Sequence, residues 1–99
     1  MKFEIKGPFK ENTYNAMRRA GYVCLVENKD TGEANYVRAL AVGGYPRFHI
    51  YLKMENETLI FNLHLDQKRP VYKGTTAHSG DYDGEVIEKE VERIKKMIA

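Results

Sequence analysis

Two runs in the middle of the chain, Arg47 to Met54 and Thr58 to Asp66, alternate between apolar and polar side chains with a period of two. That is the repeat of a β-strand, whose successive side chains leave opposite faces, and it does not fit the 3.6-residue repeat of a helix. Only Glu55-Asn56-Glu57 separates the runs, so they reverse direction and pair antiparallel. Their apolar faces then have to coincide, with Phe48, Ile50, Leu52 and Met54 beside Leu59, Phe61, Leu63 and Leu65. The opposite face receives Arg47, His49, Tyr51 and Lys53 together with Ile60, Asn62, His64 and Asp66.

The flanking segments supply the other layer and the rest of the sheet. Lys2 to Lys6 alternates with Phe3 and Ile5 on one side and reads as a short edge strand ended by Gly7-Pro8. Proline suits the first turn of a helix, and Phe9, Thr13, Met17 and Ala20 recur at helical spacing, so a helix is predicted over 9–20 with Gly21 as its stop. Tyr22 to Glu27 and Asn35 to Val42 are β-rich about a turn at 28–32, and Gly43-Gly44 makes the next reversal. A final helix follows from the stripe of Val86 or Ile87, Val91, Ile94 and Ile98, with Asp83 or Asp81 as its N-cap. Between them, 67–83 loses all periodicity and contains Pro70, Gly74 and Gly80. At about 17 residues it far exceeds the usual connection, and loops of that length tend to carry function. The expected fold is α+β with the order β-α-β-β-β-β-α: a two-layer sandwich in which a four-stranded antiparallel meander, plus the short N-terminal edge strand, carries two helices on one face. A chain of 99 residues forms one such domain, 1–99.

Composition narrows the setting. Cys24 is the only cysteine, which excludes an intrachain disulfide or a cysteine-based zinc site and suits a reducing compartment. The apolar stretches are far shorter than a bilayer span and the start of the chain lacks a leader-like apolar run, so the expectation is a soluble, cytoplasmic protein with no membrane partner. Sixteen Lys and Arg against fourteen Asp and Glu give a net charge of +2, too small to indicate a nucleic-acid partner by itself.

Three candidate functions follow. The first is a binding module without a cofactor, taking an anionic ligand such as single-stranded nucleic acid or a phosphorylated small molecule at the helix-free sheet face and the 67–83 loop. Lys68, Arg69 and Lys73 would contact phosphate, Tyr51 and Tyr72 would stack, His49 and His64 would donate hydrogen bonds, and His78 would complete the ligand-binding set. The second is a small metal-dependent or acid/base enzyme. His64-x-Asp66 places two ligands on one side of a strand, His49 approaches from the next strand and His78 from the loop, a set suited to one divalent metal such as zinc. The spacing matches no established signature such as His-Glu-x-x-His. The third is a homodimer through the helix-free face, because the 22–27 and 35–42 strands carry apolar residues on both sides, Val26 and Leu40 among them.

Overall fold

The computed structural model describes residues 1–67, 80–81 and 84–98. Its centre is the predicted pair of strands, β4 (Arg47–Glu55) and β5 (Thr58–Asp66), both longer than the others. Asn56 and Glu57 join them at φ 49° and 65°, a two-residue turn with both residues left-handed, whose twist matches that of the strands it connects. This turn sets the register: Phe48 faces Leu65, Ile50 faces Leu63 and Leu52 faces Phe61 on one side, while Arg47 faces Asp66 and His49 faces His64 on the other. β1 (Lys2–Lys6) pairs with the free edge of β5, and β3 (Glu33–Ala39) and β2 (Val23–Asn28) continue the sheet beyond β4, giving the order β1-β5-β4-β3-β2. All of these pairings are antiparallel.

The helices α1 (Thr13–Arg19) and α2 (Glu85–Ile98) lie on the apolar face. Ala16, Met17 and Ala20 from the first, and Ile87, Val91, Ile94 and Ile98 from the second, are buried in one cluster with Phe3, Ile50, Phe61 and Leu63. Each such large side chain contributes roughly 1.5 to 3 kcal/mol when fully buried. Ile87, not Val86, begins the buried stripe of α2; Val86 is exposed. Glu90 is the exception on that helix. It is buried, accepts the Tyr22 hydroxyl at 2.6 Å, and binds Arg93 through both carboxylate oxygens at 2.8 Å. Arg93 also donates to the Ala20 carbonyl at 2.7 Å, so the network ties α2 to the chain between α1 and β2. Burial and the Glu90 carboxylate both push the Tyr22 hydroxyl far above its ordinary pKa, which keeps it a neutral donor.

Several element limits differ from the sequence expectation. The first helix starts at Thr13 instead of residue 9, because the Asn12 side chain accepts the Asn15 amide at 2.8 Å and caps it there, a role proline cannot fill. It ends as expected at Gly21, φ 97°, where the Tyr22 amide reaches back to the Met17 carbonyl. β3 stops at Ala39, so Leu40 and Val42 are exposed in the following turn and do not extend the sheet face. Within the expected 67–83 loop, Gly80–Asp81 form a short strand, β6, against Leu65 and Asp66. That pairing takes Asp81 away from the helix start. Asp83 lies outside the described residues, and Gly84, φ 107°, stands directly ahead of α2 with its carbonyl accepting the Glu88 amide.

Two substitutions test this description. Tyr22→Phe removes one hydrogen bond to a buried charged group and is expected to lower unfolding free energy by about 1.5 to 3 kcal/mol in urea titrations. Glu57→Gly relieves a left-handed non-glycine residue and should stabilise by about 0.5 to 1 kcal/mol, raising the thermal midpoint by several degrees.

Candidate metal centre

The face of β4 and β5 away from the helices carries the polar set, and the register of the two strands sorts it into rows. Arg47 and Asp66 form one opposed pair and His49 and His64 the next. Beyond them Tyr51 opposes Asn62, and Asn62 opposes Lys2 on β1. Opposed side chains start about 4.5 to 5.5 Å apart, close enough for aromatic rings to touch. The His49 and His64 rings lie 4.8 Å apart, and the Tyr51 ring stacks on His49 at 4.7 Å and on His64 at 5.8 Å. The two histidine side chains are only 13% and 11% exposed, on the face opposite α1 and α2.

Asp66 is where the block converges. Its Oδ1 lies 3.0 Å from Nε2 of His64, and its Oδ2 lies 3.4 Å from both Nδ1 of His49 and Nε of Arg47. One ligand atom from each of His49, His64 and Asp66 can be chosen so that all three fall within 4.8 Å of one another. A tetrahedral zinc ion with bonds of about 2.0 to 2.1 Å separates its ligands by about 3.3 to 3.4 Å. The two contacts made by Asp66, at 3.0 and 3.4 Å through separate oxygens, lie close to that spacing. Burial lowers the pKa of both imidazoles below the ordinary 6.5, and for both the Asp66 charge opposes the shift without cancelling it. At neutral pH they are therefore unprotonated, the form that binds a metal or accepts a proton. Among the described residues two buried polar side-chain atoms lack a hydrogen-bond partner: Nε2 of His49 and Oδ1 of Asn35. Both belong to this face, since Asn35 on β3 opposes Tyr51.

Of the residues singled out from the sequence, His49, Tyr51, His64 and Asp66 are brought into one contiguous patch. Lys68, Arg69, Tyr72, Lys73 and His78 lie outside the described residues. Arg47 is the addition: the same alternation that places His49 on this face places Arg47 there, and its register opposite Asp66 is the signal that joins it to the cluster. Toward the outer edge the face becomes apolar. Val37 opposes His49, Val23 opposes Val37, and Val26 follows a bulge in β2. Val23 and Val26 are more than half exposed, whereas Leu40 lies beyond the end of β3 and shares the parity of Tyr36 and Arg38, on the opposite side. Cys24 turns the other way and packs against the core. No described helix is long and apolar enough to cross a membrane.

The chain matches no protein-family model, no curated protein and no solved structure in comparisons with each.

The lowered histidine pKa values have a definite consequence for stability. In the unfolded chain each imidazole takes up its proton near pH 6.5, whereas in the folded chain it resists until lower pH. The unfolded state thus binds more protons in that window, and stability present above about pH 7 declines as the pH falls through 6.5. Denaturant titrations from pH 7.5 to 5.5 should show this decline in the wild type. A His49→Asn, His64→Asn double variant should show a flatter profile, and an equal slope in both proteins would refute the assignment.

Proposed function

We propose that the protein acts through one divalent transition-metal ion, zinc or iron, held on the helix-free sheet face by His49, His64 and Asp66. The observation that carries this reading is the convergence of three ligand-type side chains from two adjacent strands to within 4.8 Å. Two imidazoles and a carboxylate form the donor set of catalytic zinc and non-haem iron sites, in which three protein ligands leave positions for water or substrate. Here the ligands come from rigid central strands, which favours a defined geometry. Bound zinc would supply Lewis-acid polarisation and lower the pKa of a coordinated water. Asp66 would ligate the ion beside the two imidazoles, and Tyr51 would hold the His49 ring plane by stacking. The anionic-ligand reading is compatible with this site, because His49, Tyr51 and His64 occupy the same patch.

A metal-free acid/base pair is the second reading. It is favoured by His49, whose Nδ1 faces Asp66 while its Nε2 has no hydrogen-bond partner among the described residues, the arrangement of an imidazole oriented to accept a proton.

Calorimetric titration of chelator-treated protein with Zn(II) separates the two. The metal reading expects one ion per chain, with His64→Asn and Asp66→Asn each weakening uptake on the order of 100-fold, at or beyond the loss seen when an outer-shell partner is removed. Absence of stoichiometric uptake by the folded wild type would leave the acid/base pair.

A further inference from the structure

The metal ligands occupy three corners of a block of four side chains on β4 and β5: His49 opposite His64, and Asp66 opposite Arg47. The fourth corner is the arginine. Its guanidinium rests over the Tyr45 ring at 4.6 Å and meets Asp66 through Nε alone, at 3.4 Å. That distance is at the long end for a hydrogen bond and leaves the two Nη groups, with four N–H donors, without a hydrogen-bond partner among the described residues. Arg47 is nevertheless only 22% exposed. An arginine held by stacking, partly desolvated and with its fork unspent is suited to bind two oxygens of an anion at once.

We propose that Arg47 and the metal ion together bind the phosphate group of a ligand, one phosphate oxygen taking an open position on the metal and the Arg47 fork holding two others. This rests on the metal reading above and assigns its ligand class. Position supports it first: Arg47 and His49 are two residues apart on one face of a strand, about 7 Å along its axis, so the fork reaches the space beside the metal. Charge supports it second. A divalent ion, Asp66 at −1, Arg47 at +1 and two neutral imidazoles leave about +2, which a phosphate monoester dianion neutralises and a monocarboxylate does not. Arg47 opposes metal uptake, because it repels the cation and shares Asp66, yet it favours the anion. Its removal should therefore move the two affinities in opposite directions, which loss of a merely structural ion pair would not do.

The experiment uses the full chain loaded with Co(II), whose visible absorption reports a new ligand, titrated with inorganic phosphate and separately with acetate. The expected result is saturable binding of phosphate at least 10-fold tighter than acetate. Arg47→Ala should bind phosphate about 10- to 100-fold more weakly, the range for a hydrogen bond to a charged group, while taking up Co(II) as tightly as the wild type or more so. Arg47→Lys keeps the charge and the aliphatic stem but loses the fork, and should show an intermediate loss. It carries the test if Arg47→Ala does not fold. Phosphate binding unchanged in the variants, or absent in cobalt-loaded wild type, overturns the role of Arg47 and leaves the metal site standing. Acetate binding as tightly as phosphate overturns the phosphate assignment. Wild type that takes up no Co(II) overturns the metal reading and this inference with it.

Discussion

The register between β4 and β5 is the constraint on which the rest of the molecule depends. Because side chains alternate with a period of two, slipping this pair by one residue would carry Phe48, Ile50 and Leu52 to the polar face and bring His49 and Tyr51 into the core. The helices would then have nothing to pack against, and the candidate site would not exist. The left-handed turn at Asn56 and Glu57 holds the register from one end, and the shared apolar layer holds it along its length. Both faces of the sheet are therefore specified by one choice. The hydrophobic layer supplies the free energy, and the polar layer inherits its geometry from it.

On the polar face the decisive group is Asp66. Three basic side chains, Arg47, His49 and His64, approach its two oxygens within 3.4 Å. A carboxylate with so many suitors is partly compensated for its own desolvation, but it does not offset what burial does to the imidazoles, which remain below their ordinary pKa. The balance leaves two neutral imidazoles beside one carboxylate and one arginine, the set on which the proposed cation and anion sites rest. Tyr51, stacked on His49, limits the movement of that ring and so helps define where both would sit.

The strands were legible because an alternating pattern of this length admits few other readings, and the faces they present followed without further assumption. His49, His64 and Asp66 could be named as a cluster on the same ground. The helix ends were less legible. Pro8 and Asn12 both signal a helix start, and only the side-chain contact from Asn12 to Asn15 shows which one is used. Leu40 and Val42 continue the β-rich composition of β3, but the strand ends at Ala39 and both are exposed, so composition overstated the length of the strand. The pairing of Gly80–Asp81 with β5 has almost no sequence signal, since two residues are too few to show a period.

The sequence by itself determined the types of the two helices and of β1 to β5, the facing of β4 and β5 and the list of residues able to bind a metal, because these follow from local periodicity and residue chemistry. Tertiary structure alone decided that Asp66 is shared by both histidines and Arg47, and that Glu90, charged and helical, is buried against Tyr22 and Arg93. Those facts depend on distances between residues far apart in the chain. Such distances are fixed only when the helices dock, the strands pair and water is removed from the space between them.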